Sequence, residues 1–229
     1  MILVAKNSIP TNKDVAARVA EQTLARRGAD YADEVRRLLD AALQVIRRHG
    51  TTSRPRVADI VVAAGLSNDA FYRHFPSKDA LVAALLEDGT DRLASYLAHQ
   101  MGKEPAPEAK VRRWVEGVLS QAGEEIAATT LAVLWNGGNV GATGRHSASS
   151  ALAVLLHEPF AALGNREPEL DSALVAHAML GTVSEHLWLE TAPTRAEIEQ
   201  LVGFAVAVAV RPSSPATAGS AARRPKRAR

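Results

Sequence analysis

Apolar residues recur at helical spacing almost from end to end of this chain, and alternating β-branched runs bounded by hairpin turns are absent. Between about Tyr31 and His49, the residues Val35, Leu38, Leu39, Ala42, Val45 and Ile46 form one apolar stripe. Arg47 and Arg48 suit the negative end of that helix's dipole, and Gly50 supplies a stop. Ahead of it, Thr11 with Asp14 has the form of a capping box and Gly28 that of a terminator. They predict a short separate helix from about Asn12 to Arg27.

A short helix then opens with Pro55 in its first turn and turns Val57, Ile60, Val61 and Ala64 inward until Gly65 breaks it. Ser67 caps a third, very short helix through about His74. Pro76 ends that one, and Ser77 caps a long fourth helix from Lys78 to about Gln100. Five more helices are predicted, at about Pro107–Ala122, Glu124–Trp135, Ser147–Leu163, Glu169–Glu190 and Thr194–Val210. The glycine-rich run Asn136 to Gly144 reads as a flexible loop. The fold class is all-α, with the chain divided into an N-terminal extension over 1–30, a three-helix head over 31–80, a larger helical domain over 81–210 and a disordered tail over 211–229.

Composition narrows the chemistry. The chain has 229 residues and no Cys, which excludes disulfides, thiolate metal sites and cysteine nucleophiles. No stretch approaches a membrane span, the longest apolar run being Leu201 to Val210, and no signal segment is evident, so the expectation is a cytoplasmic protein without a membrane partner. Charge is uneven. Residues 1–80 carry 13 basic and 9 acidic side chains, residues 81–210 carry 8 and 16, and the tail carries six basic and no acidic ones. A basic head on an acidic body suggests a polyanion-binding module joined to a domain with another task, although scatter alone produces such a balance. The tail can add nonspecific phosphate attraction or merely aid solubility.

The segment from Val57 to Phe75, a helix, a tight turn at Ala64-Gly65-Leu66 and a second short helix, has the helix-turn-helix arrangement. Its second helix can present Asn68, Asp69, Ala70 and Arg73 to a major groove. An ordinary αα-corner would read the same way. The residues Phe71-Tyr72-Arg73-His74-Phe75-Pro76-Ser77-Lys78, followed by Leu81, carry more information. With Ile60 to Ala70 ahead of them, and Arg37, Leu39, Ala41, Ala42 and Gly50 in the preceding helix, they resemble the DNA-binding signature of the TetR family of transcriptional regulators. The likeness covers about Tyr31 to Leu86.

That resemblance implies a homodimer with a three-helix DNA-binding head and a larger helical domain that binds a small effector and pairs through its last two helices. It implies a repressor of a palindromic double-stranded operator, released when the effector binds. Tyr72 and His74 match positions that contact the DNA backbone, and Ser67 caps the reading helix. Lys78 opens the fourth helix, where its ammonium and the positive helix end both favour a phosphate. Two departures from the family pattern are Asp69, where glycine is common, and Arg56, near a position often held by a small hydroxyl residue. Arg54 and Arg56 can reach phosphates instead.

In the body, Trp114, Trp135, His157, His177 and Glu185 are large or polar residues on otherwise apolar helices, and they are the candidate ligand contacts. They suit an apolar or aromatic effector, with a cation left open by the acidic balance. Core packing or exposure explains each of them equally well. No third ligand joins His177 and Glu185 on their helix face, so no metal or other cofactor is expected. No catalytic constellation stands out either, and the chain reads as a non-enzyme. The rival is a helical enzyme or a small-molecule or lipid-binding protein with an incidental αα-corner. In the last helix, Ile198, Leu201, Val202, Ala205, Val208 and Ala209 form a stripe that Phe204 and Val206 widen, which suggests a dimer interface shared with the Glu169–Glu190 helix.

Overall fold

The computed structural model describes residues 12–137 and 140–210, and the described residues fold into nine α-helices with no strand. In chain order these are α1 (Asn12–His49), α2 (Val57–Ala64), α3 (Asn68–His74), α4 (Lys78–Met101), α5 (Pro107–Leu119), α6 (Glu124–Asn136), α7 (Val140–Ala162), α8 (Pro168–Leu189) and α9 (Arg195–Ala209), with a 3-10 turn, Ser120–Ala122, after α5. The expected cap Thr11 and the basic tail lie outside the described residues.

Two cores organise the bundle. The first gathers Leu38, Ala42 and Ile46 of α1, Ile60 and Val61 of α2, Phe71 of α3 and Phe75 after it. Leu81, Val82 and Leu85 from the first two turns of α4 complete it, with Ala132 and Val133 of α6. The expected boundary at residues 80 and 81 therefore lies inside α4, and α6 reaches from the body into the head. The second core joins Leu97, Trp114, Val118, Leu152, Leu156, Phe160, Met179 and Val183 with Val202, Ala205 and Ala209 of α9.

Four local expectations need correction. Gly28 does not end a helix, because α1 runs unbroken from Asn12 to His49. A helical glycine costs only about 1 kcal/mol, and the good helix formers on either side outweigh it. Pro55 stands ahead of α2, not in its first turn. Arg56 is the N-cap, and its backbone N–H donates to the Asp59 carboxylate at 2.9 Å. Residues 140–144 of the expected loop belong to α7. Finally, Val202, Ala205 and Ala209 face the chain's own core. The exposed face of the last two helices is the opposite one, with Leu170, Leu174, Trp188 and Phe204. A Cβ added at Gly181 or Gly203 would meet nothing within 4 Å.

Candidate DNA interface and ligand cavity

The turn between α2 and α3 is built from both sides. Gly65 takes a left-handed conformation, φ 63°, which only glycine adopts without strain. The last carbonyls of α2 need donors, and Arg37 of α1 supplies them, one guanidinium nitrogen donating to Ala64 O at 2.6 Å and to Gly65 O at 3.1 Å. Ser67 Oγ accepts from the Ala70 N–H at 3.1 Å and starts α3. Ser77 Oγ does the same for α4 through the Ala80 N–H.

With α3 so placed, Asn68, Asp69, Tyr72 and Arg73 stand exposed on one surface. Arg54 and Arg56 flank it, also exposed, and the Lys78 ammonium donates to Pro55 O at 3.3 Å beside them. Asp59, which holds Arg56 in the capping box, has its carboxyl pushed below the ordinary carboxylate range by the Arg56 backbone N–H.

Two predicted contacts turn away from that surface. Ala70 is buried, because the N-cap at Ser67 sets the phase of α3 so that Ala70 and Phe71 face inward. The His74 side chain is fully enclosed between α1 and α3. Its Nε2 lies 2.6 Å from a Glu34 carboxylate oxygen, its ring meets Tyr31 edge-on at 4.2 Å, and its Nδ1 is buried without a hydrogen-bond partner among the described residues. Arg73 lies 3.4 Å from the same Glu34 oxygen. The hydrogen bond from His74, then the nearby Arg73, hold the Glu34 carboxyl below its ordinary value. His74 thus ties α3 to α1 and is removed from the phosphate-contacting set.

In the body, a cavity of about 300 Å³ lies where the two cores meet. Leu43 of α1, Leu85 and Gly89 of α4, Thr130 and Val133 of α6, Leu152 of α7 and Leu180 and Ser184 of α8 line it. None of the five predicted ligand contacts does. Trp114 is wholly buried in the second core, its indole N–H donating to Leu152 O at 3.0 Å. Trp135 is half-exposed and pairs with Trp188 at 6.0 Å between ring centres. His157 is half-buried away from the cavity, His177 is exposed with one ring nitrogen 2.7 Å from Ala173 O, and Glu185 is exposed. A large side chain on an apolar helix marks a filled space as readily as an open one. Gly89 of α4, at the rim of the cavity, is exposed, and a Cβ there would meet nothing within 4 Å. Gly117 of α5 contrasts with it, because a Cβ there would strike the Leu97 side chain.

Among the described residues no group of His, Asp and Glu can hold a metal ion, and no helix is long and apolar enough to cross a membrane. Residues 38–85 match the family model of bacterial regulatory proteins, tetR family. The head formed by those residues is of the tetR-family type. The matched span runs from the buried Leu38 of α1 to Leu85 of α4, the same residues that close the TetR-type head.

Solved structures share the fold beyond that head. The fatty acid degradation regulator FadR from Bacillus halodurans is 23% identical, with TM-score 0.55, covering 75% of this chain and 94% of that one. RolR, solved in complex with resorcinol, is 14% identical, with TM-score 0.59 and coverage of 82% and 98%. A Rhodococcus sp. protein proposed to be a TetR-family transcriptional regulator is 19% identical, with TM-score 0.57 and coverage of 77% and 98%. No curated protein matches the chain.

Proposed function

We propose that this regulator is a dimeric, ligand-responsive repressor that binds a palindromic DNA operator and leaves it when a small molecule fills the cavity. The observation that carries the reading is the exposed face of α3, Asn68, Asp69, Tyr72 and Arg73, held at a fixed angle by the Arg37–Gly65 turn. Asn68 and Asp69, in the first turn of α3, are the proposed base readers. The Asn68 amide can pair bidentately with adenine, and the Asp69 carboxylate can accept from the cytosine amine. Tyr72, Arg73, Lys78, Arg54 and Arg56 are the proposed backbone contacts, and Ser67 acts by capping.

The cavity supplies the response. Leu85 and Val133 belong both to the head's core and to the cavity wall, so a ligand that displaces either shifts the packing under α1 and α3. RolR, which has a similar fold, was solved with resorcinol bound, and this supports the reading. The exposed apolar face of α8 and α9 is the proposed dimer surface, and its symmetry matches an inverted repeat. The functional division is an extension over 1–30, a head over 31–80 completed by the start of α4, and an effector and dimerisation domain over 81–210. We read the protein as cytoplasmic and as a binding protein, not an enzyme.

Selection of bound sites from random duplex DNA tests the reading. Enrichment of an inverted repeat is expected, with Asn68→Ala and Asp69→Ala each relaxing one base pair per half-site. A good base contact carries roughly 1–3 kcal/mol of discrimination. Failure to enrich any sequence above the unselected pool would remove the assignment.

A further inference from the structure

We propose that Glu34 of α1 is a specificity-determining positioning residue: its carboxylate holds the Arg73 guanidinium at one point of the DNA face, so that this cation serves a seated operator and does little for random sequence. The inference rests on the regulator reading above and deepens it by naming a residue that sets selectivity. Three side chains run from core to surface. The His74 ring is fully enclosed and is braced edge-on by Tyr31. A carboxylate can only accept, so the His74 Nε2–H donates to Glu34 at 2.6 Å and anchors it. The same carboxylate oxygen lies 3.4 Å from the guanidinium of Arg73, on the exposed face of α3. An exposed ion pair ordinarily fixes little, because both partners are mobile. Here one partner is tied to a buried ring, and the pair has a fixed end.

The negative charge of Glu34 needs a reason. His74 requires only an acceptor, which a neutral amide oxygen supplies equally well. A carboxylate beside the DNA face repels phosphates whatever the base sequence. Asp59, 3.6 Å from Arg56, has a task of its own in the cap of α2. Glu34 lies well inside α1 and can cap neither end. Arg37, one turn further along α1, is committed to Ala64 O and Gly65 O. What the Glu34 charge does is hold Arg73. On an operator, α3 sits in one register and the held guanidinium meets its phosphate. On random duplex the register varies, and a tethered cation cannot follow it. Glu34 therefore subtracts more from nonspecific binding than from operator binding.

Glu34→Gln tests this, because the amide oxygen still accepts from His74 while the charge is gone. Salt titrations of the full-length protein on an operator and on a random duplex are compared with the wild type. Random-duplex affinity is expected to rise about tenfold at about 50 mM salt, with the slope of log affinity against log salt steeper by up to about 1.8 for a dimer. Operator affinity should stay nearly level, so the preference for operator falls. If Glu34→Gln does not fold, Glu34→Met combined with His74→Phe replaces the hydrogen-bonded pair by apolar side chains, removes the same charge, and should lower the preference alike. The proposal is overturned if the preference is unchanged, or if both affinities fall together with the melting temperature, as a purely structural Glu34 requires. It is also overturned if Glu34→Gln has the same effect in an Arg73→Gln background, because Glu34 then repels phosphates directly and does not act through Arg73. A wild type that prefers no duplex sequence would defeat the regulator reading and this inference with it. A wild-type preference that survives Glu34→Gln defeats only the role of Glu34.

Discussion

Arg37→Met is the sharpest probe of how the head is assembled. The substitution keeps an aliphatic stem and removes the guanidinium that donates to Ala64 O at 2.6 Å and Gly65 O at 3.1 Å. A hydrogen bond with a charged donor contributes about 1.5–3 kcal/mol. Arg37 and Gly65 are both exposed, so water can replace the longer bond, and the low end applies. We expect a loss of about 1.5 kcal/mol, equivalent to a melting temperature about 3–6 °C lower for a chain of this size. Gly65→Ala should cost about 1–2 kcal/mol through its left-handed backbone. It also places a Cβ 3.1 Å from the Arg37 guanidinium. The two changes should therefore couple, Gly65→Ala costing less in the Arg37→Met background than in the wild type. Urea denaturation of the four proteins measures the cycle. A single-variant loss below about 0.3 kcal/mol, with strictly additive effects, would refute the clamp.

Further outcomes follow from the same geometry. His74→Phe should lower the melting temperature by breaking the contact with Glu34, while leaving the salt dependence of DNA binding unchanged, as a competition titration would show. Leu174→Glu combined with Phe204→Glu should give a folded monomer by light scattering. Val202→Glu, which buries a carboxylate in the chain's own core, should instead destabilise the body by roughly 3–5 kcal/mol in a melt. Glu197 caps α9 by accepting from the Thr194 N–H and hydroxyl at 2.7 Å, and these bonds hold its carboxyl below its ordinary value of 4.5. A depressed folded value means stabilisation that is complete above the ordinary value and lost as pH falls through the lower one. Glu197→Ala should therefore melt below the wild type at neutral pH, and the two curves should converge in acid.

The helices were legible because their signals are local. Ser67, Ser77 and Gly65 announce caps and a turn through chemistry that acts within three or four residues. The motif from Phe71 to Lys78 carried the head for the same reason. What failed needed contacts distant in sequence. His74 looks like a surface cation until Glu34, forty residues earlier, encloses it. Arg37 registered only as a spacing match, because the carbonyls it serves are 27 and 28 residues away. The last helix is apolar on more than one side, so its pattern alone could not say which side meets the chain's own α5 and α8 and which is left outside. The cavity was missed by looking for large residues, when its wall is assembled from α1, α4, α6, α7 and α8, which only the fold brings together.

The central claim is that α3 and the cations beside it meet DNA. A salt titration of operator affinity tests it most directly, comparing wild type with Tyr72→Phe combined with Lys78→Ala. Removing one phosphate-neutralising cation per subunit takes two from a dimer, so the slope of log affinity against log salt should fall in magnitude by about 1.8. Affinity should drop for operator and random duplex alike. An unchanged slope with unchanged affinity on both DNAs would contradict the account.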